Sequence, residues 1–115
     1  MLKNEVFFYE EGGNNPVEAF LNGIPKQAKE KISARIALLE EKGNQMPSQY
    51  CDKLTGSPLW ELKIKYRTNE YRVFYFFSGK SIILAHGFTK KTEDTPKSDI
   101  DLGEKRMKEW LRRKK

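Results

Sequence analysis

Hydrophobic positions along the chain change from helical to strand spacing near residue 60, and this change predicts an α+β fold. In residues 60–67, apolar and charged side chains alternate without a break, which is typical of a half-buried strand. Residues 70–77 and 81–88 are rich in aromatic and β-branched side chains, and tight turns at 68–69 and 78–79 precede them. The three segments therefore predict an antiparallel meander.

The N-terminal half predicts one short strand and two helices. Residues 6–9 are β-formers, and a Gly-Asn run ends them. Asn15 is a suitable cap for a short helix that ends near Gly23. A longer helix is predicted from Pro25 to Gly43. Its apolar residues recur at helical spacing: Ala28, Ile32, Ile36 and Leu39.

The remaining segments complete the predicted order β-α-α-β-β-β-α. Residues 43–58 are expected to form a long loop, and a final helix is expected to begin near Ser98. We expect a twisted antiparallel sheet with the two N-terminal helices packed on one face and the other face partly open. Trp60 and Trp110, with Leu62 and Ile64, are expected in the core.

Length and composition predict a single domain over residues 1–115. Cys51 is the only cysteine, so an intrachain disulfide is impossible and a reducing compartment fits. We find no apolar run of membrane-spanning length and no signal-like apolar segment, so a cytoplasmic protein without a membrane partner is expected. Metal-ligand spacing and phosphate-binding glycine loops are also absent from the sequence, so no metal or cofactor is expected.

Positive charge is concentrated in the predicted meander. The net charge of the chain is +6, and residues 60–92 alone contain seven basic and two acidic residues. Strand alternation places most of the basic side chains on one face of the sheet, where they would suit a phosphate backbone. The alternative is a solvated outer face whose charges resist edge aggregation. The cations in question are Lys63, Lys65, Arg67, Arg72, Lys90 and Lys91.

Other side chains of the meander are candidates for base stacking and proton transfer. Tyr66 and Phe88, with Tyr71 and Tyr75 nearby, offer aromatic surfaces for bases. His86 is the only histidine. It is either a general acid or base, or a packed structural residue in the middle of a strand.

Three segments of the second half carry a resemblance to a known family. These are LWELK at residues 59–63, YRVFYF at 71–76 and LAHGFTKKT at 84–92. They resemble the phage-derived Gp49-like branch of the RelE/HigB toxins of type II toxin–antitoxin systems. The resemblance implies a RelE/ParE-like fold, mRNA cleavage in the ribosomal A site, and a cognate antitoxin with a helix-turn-helix DNA-binding domain.

The resemblance also implies a set of catalytic residues. In RelE-like toxins, two lysines on the first meander strand and an arginine on the next hold the mRNA phosphate, and Lys63, Lys65 and Arg72 match these positions. Lys91 or Lys90 stands where such toxins have a further arginine, so the charge is kept but the forked guanidinium is lost. No tyrosine lies near Lys97, where RelE uses one. HigB proteins use histidine and acidic residues there, so the proton donor and acceptor stay unassigned.

The expected activity is an endoribonuclease that inhibits translation without a metal ion. The RNA 2′-hydroxyl is the nucleophile, and side-chain cations stabilise the charge that develops on the phosphate. Glu61 is expected to orient a neighbouring cation rather than to act as the base. Two rivals remain: a ParE-like inhibitor of DNA gyrase that cleaves nothing, and an RNA- or protein-binding module without catalysis.

Overall fold

The structure is a computed structural model that describes residues 4–114, which form an α+β domain of three helices and a five-stranded sheet. A short 3-10 turn, Gly43–Gln45, follows the second helix. The elements in chain order are β1 (Glu5–Phe8), α1 (Pro16–Asn22), α2 (Lys26–Lys42), β2 (Cys51–Lys53), β3 (Trp60–Tyr66), β4 (Asn69–Ser78), β5 (Ser81–Lys90) and α3 (Lys97–Lys114).

The sheet is mixed, with strand order β1-β5-β4-β3-β2. The predicted meander of β3, β4 and β5 is confirmed. The prediction of a wholly antiparallel sheet is wrong, because β1 pairs with β5 in parallel. The element order is also corrected: the predicted loop contains β2, whose Cys51 pairs with Leu62 of β3. Three residues are too few to show a strand period, so sequence patterning did not reveal this strand.

Helices pack on both faces of the sheet. α1 and α2 cover one face, around buried Leu62, Ile64 and Val73, as predicted. α3 covers one end of the other face, where Phe74 and Met107 belong to a second core cluster. The expectation of a partly open second face therefore holds only at the other end of the sheet, where the β3–β4 turn lies.

Close contact between α3 and the sheet depends on a glycine in the helix. A Cβ at Gly103 would lie 2.9 Å from Leu59 Cδ1 and 3.1 Å from Phe74 Cδ2. This approach fixes α3 over β4, and the start of α3 thereby lies beside the candidate site described below.

The two tryptophans are only half-buried, whereas Leu62 and Ile64 are fully buried as expected. Trp60 is the first residue of β3, and its ring packs against Tyr75, with ring centres 6.4 Å apart. Trp110 lies near the end of α3. Both side chains are at the ends of their elements, so the prediction that they are core residues is only partly met.

No helix within residues 4–114 is long and apolar enough to cross a membrane.

Candidate functional site

Most of the predicted basic residues lie side by side on the face of the sheet that carries α3. Residues paired across antiparallel strands point to the same face, so pairing brings together side chains from three strands. Two neighbouring cross-strand rows form the site. The first row is Lys63, Arg72 and Phe88, and the second is Lys65, Glu70 and Lys90.

Arg72 is buried at the centre of this face and is held by three groups. It is 7% exposed. Its Nη2 donates to Glu70 Oε1 at 2.8 Å, and its Nη1 donates to the carbonyl oxygen of Tyr71 at 3.3 Å. Its Nε lies 3.4 Å from Glu61 Oε2, outside hydrogen-bonding geometry, and is buried without a partner among the described residues. The guanidinium is therefore fixed in orientation, and three of its five N–H donors have no hydrogen-bonding partner among the described residues.

The two carboxylates beside Arg72 differ in exposure. The Glu61 side chain is 8% exposed and also accepts a hydrogen bond from Thr95 Oγ1 at 3.2 Å. The Glu70 side chain is 46% exposed. The hydrogen bond and charge of Arg72 hold the pKa of Glu70 below its usual range, so this carboxylate stays ionised at neutral pH. Glu61 is thus a buried neighbour of Arg72, whereas the Glu70 carboxylate is half-exposed at the surface.

The lysines around Arg72 project towards solvent. Lys63 Nζ pairs with exposed Asp52 at 2.7 Å. Lys65 is exposed, and its Nζ has no hydrogen-bonding partner within residues 4–114. Lys90 Nζ donates to the carbonyl oxygen of Glu93 at 2.6 Å, and exposed Lys91 follows immediately after β5. Lysine ammonium groups on flexible stems suit phosphate contacts as point charges.

Several aromatic and basic candidates lie away from this face. Tyr66 packs against the core on the α1–α2 side of the sheet. Tyr71 and Tyr75 are almost fully buried there, so neither ring is open to a base. Arg67 leaves the strand at the β3–β4 turn, with φ +57°. The turn is Arg67-Thr68, since Tyr66 still pairs with Asn69, one residue earlier than predicted.

His86 is buried beneath α3 and is bonded through both ring nitrogens. Its Nε2 lies 2.6 Å from Asp99 Oδ1, and its Nδ1 lies 3.2 Å from Arg106 Nη1. Arginine can only donate, so Nδ1 accepts and the neutral ring carries its proton on Nε2, which donates to Asp99. Burial lowers the pKa of His86, the hydrogen bond and charge of Asp99 partly oppose this shift, and the charge of Arg106 adds to it.

These contacts indicate a structural position for His86 rather than one open to substrate. Its ring stacks on Phe88, with ring centres 5.4 Å apart, and Phe88 lies opposite Arg72. His86 therefore links α3 to the site through Phe88. Asp99 and Arg106 were not found by sequence reasoning, because their distance from His86 in the chain follows no motif.

A second group of cations faces the candidate residues across a groove of about 300 Å³. α2 contributes Lys31 and Arg35, one turn apart, and Tyr50 lies beside them. Glu70 is the only acidic residue of the lining, which also includes Lys63, Lys65 and Arg72. The basic pair on α2 is visible in the sequence, but the helical spacing of its apolar residues predicts only that α2 covers the sheet.

Cys51 is buried, and its Sγ lies 3.8 Å from the carbonyl oxygen of Met46, so the thiol is not open to substrate. Within residues 4–114, no three His, Cys, Asp or Glu side chains are grouped so that they could hold a metal ion.

Comparison with known families matches residues 19–108 to the family described as phage derived protein Gp49-like (DUF891). The match runs from α1 into α3 and includes every strand except β1. The chain belongs to the Gp49-like family. This family is a RelE-like toxin family, so the chain is a toxin-like, phage-derived protein. No curated protein matches the chain.

Proposed function

We propose that this Gp49-like protein is the toxin of a type II toxin–antitoxin module and cleaves mRNA in the ribosomal A site. One observation carries the proposal: Lys63, Lys65 and Arg72 line one groove whose only acidic residue is Glu70. A groove with this excess of cations favours a polyanionic strand over a neutral or cationic ligand.

The proposed reaction is a transesterification within the RNA. The 2′-oxygen loses its proton and attacks the adjacent phosphorus, and the bond from phosphorus to the 5′-oxygen breaks. The products are a 2′,3′-cyclic phosphate and a 5′-hydroxyl end, which takes up a proton. Because the RNA supplies the nucleophile, the protein needs to align the strand and stabilise the charge on the phosphate.

Arg72 and Lys63 are the residues we assign to the scissile phosphate, because they are direct cross-strand partners. Glu70 occupies the Nη2 edge of Arg72, and the phosphate takes its place in the complex. Glu61 keeps Arg72 in position from the buried side. Phe88 lies opposite Arg72 and is half-exposed, so we assign it to stack on a base.

The outer cations have a supporting role in this proposal. Lys65 and Lys90 lie in the neighbouring row, and Lys91 follows it, so all three contact phosphates on the same side of the cut. Arg67, in the β3–β4 turn, contacts the RNA strand at the periphery of the site. His86 has both ring nitrogens in use, so its proposed role is to position Phe88.

The partner we propose is a cognate antitoxin with a helix-turn-helix domain. A basic groove is neutralised most directly by an acidic segment that covers it, which would also exclude mRNA. A toxin–antitoxin complex in which this groove is open and unchanged would contradict the steric account.

The proposal is tested by translation in vitro followed by primer extension on the mRNA. The wild-type protein should give stops at defined positions within codons, and a Lys63→Ala/Lys65→Ala variant should give none. Lys80→Ala, an exposed lysine at the β4–β5 turn, is the matched control and should cleave normally. Absence of position-specific stops with wild-type protein contradicts the proposal, and inhibition of gyrase supercoiling would instead support a ParE-like activity.

A further inference from the structure

We propose that α2 carries a second phosphate-binding subsite, formed by Lys31 and Arg35, for the nucleotide next to the one that is cut. This inference rests on the proposed RNA substrate and extends it beyond the residues implied by the family. It depends on how the two α2 cations meet the free edge of β3.

β2 pairs with only the first part of the β3 edge, and beyond β2 the edge carbonyls accept hydrogen bonds from α2 side chains. The ladder between β2 and β3 ends at Leu62, and Lys63 N then donates to the carbonyl oxygen of Tyr50 at 2.8 Å. Beyond this point, Arg35 Nη1 donates to the carbonyl oxygen of Lys63 at 3.4 Å, and Lys31 Nζ donates to that of Lys65. The edge carbonyls thus place each α2 cation beside one lysine of the site.

The spacing of these pairs suits successive phosphates of one strand. Lys31 and Arg35 are four residues apart on a helix, a rise of about 6 Å. Lys63 and Lys65 are two residues apart on a strand, which is about 6.7 Å. These two separations are close to each other and to the distance between neighbouring phosphates of an extended RNA. Two parallel rows of cations therefore follow the groove.

Arg35 is held in place before any ligand arrives. Its guanidinium lies over the ring of Tyr50, 3.9 Å from the ring centre, and one N–H contacts the carbonyl oxygen of Lys63. A guanidinium has five N–H donors, so four remain without a protein partner among the described residues. An oriented guanidinium with free donors is suited to forked binding of a phosphate. RNA therefore fits this position better than a neutral ligand does.

The test is the salt dependence of binding to a short single-stranded 2′-O-methyl RNA, which cannot be cleaved by its own 2′-oxygen. For single strands, each phosphate contact contributes about 0.7 to the slope of log affinity against log salt. Lys31→Ala and Arg35→Ala should each reduce the slope by about 0.7, and the double variant by about 1.4. Arg35→Lys should keep the slope but bind more weakly, because it keeps the charge without the fork.

Lys29→Ala is the matched control, since Lys29 lies about 200° around α2 from Lys31 and bonds to Asn22 instead. It should leave the slope unchanged. Equal slopes for wild type and the Lys31→Ala/Arg35→Ala variant, or an equal loss in Lys29→Ala, would overturn the subsite. If wild-type protein cuts mRNA on ribosomes while the double variant keeps the wild-type salt slope, the subsite is refuted and the proposed activity stands. If wild type does not cut but the slope falls as expected, the subsite stands and the proposed activity fails.

Discussion

Replacing Arg72 should destabilise the fold as well as remove the proposed activity. The perturbation is Arg72→Met, which keeps most of the apolar stem and removes the charge. Among the described residues, Glu61, with an 8% exposed side chain, would then retain only the hydroxyl of Thr95 as a partner. Breaking a buried ion pair by removing one member costs about 3–5 kcal/mol, because the remaining charge is buried without compensation.

We expect a loss at the lower end of this range, about 3 kcal/mol, because Thr95 still donates to Glu61. For a domain of this size that is a fall in Tm of roughly 12 °C. The double variant Glu61→Gln/Arg72→Met removes both charges, and its unfolding free energy should return to within about 1 kcal/mol of wild type. Arg112→Met, which breaks an exposed pair at the end of α3, is the control and should change nothing measurable.

Unfolding in urea is monitored by tryptophan fluorescence. The unfolding free energies are compared only where the variants have the same dependence of free energy on urea concentration. An Arg72→Met variant as stable as wild type would refute the buried-pair account. A double variant no more stable than Arg72→Met would refute it equally. The double variant also gives the cleaner activity test, because it should be folded and still fail to cut mRNA.

Three other outcomes follow from single contacts in the structure. Glu70→Gln should strengthen binding to 2′-O-methyl RNA, because Glu70 occupies the Nη2 edge of Arg72 that the phosphate needs. Unchanged or weaker binding would count against displacement of Glu70 by the phosphate. Because the pKa of His86 is lowered in the folded protein, the histidine of the unfolded chain takes up a proton at a higher pH than the histidine of the folded chain. The unfolding free energy should therefore be level above about pH 7 and decline below about pH 6.5. His86→Gln should lack this decline in urea titrations at matched pH values. Gly87→Ala should cost about 1–3 kcal/mol in the same unfolding assay, because its Cβ would lie 2.5 Å from the ring of Phe20, and Phe20→Leu should recover part of that cost.

The meander and helices were predictable because their patterns span many residues. Alternation in β3 and the cap at Asn15, whose side chain accepts from Glu18 N at 3.1 Å, are local signals that the structure confirms. β2 was missed because its three residues carry no period. The parallel position of β1 was missed because pairing between distant strands depends on how the intervening helices cross the sheet, and no local pattern records that crossing.

The sequence predicted only those features of the candidate site that follow from the alternation of side chains along a strand. This alternation placed Lys63, Lys65 and Arg72 on one face, and the register agrees. The predicted alternation continues to Arg67, whereas the strand ends at Tyr66 and the chain turns at Arg67. Contacts made by other elements, including those of Arg35 and Asp99, depend on tertiary packing and carry no sequence spacing.

We propose that the 2′-oxygen of the RNA attacks the adjacent phosphorus while this protein holds the phosphate. The most direct measurement compares two mRNAs on translating ribosomes, identical except for a 2′-deoxy nucleotide at the position where wild-type protein cuts. We expect a strong primer-extension stop on the all-ribose mRNA and none at the deoxy position. Cleavage at the deoxy nucleotide, or no position-specific stop on either mRNA, would contradict it.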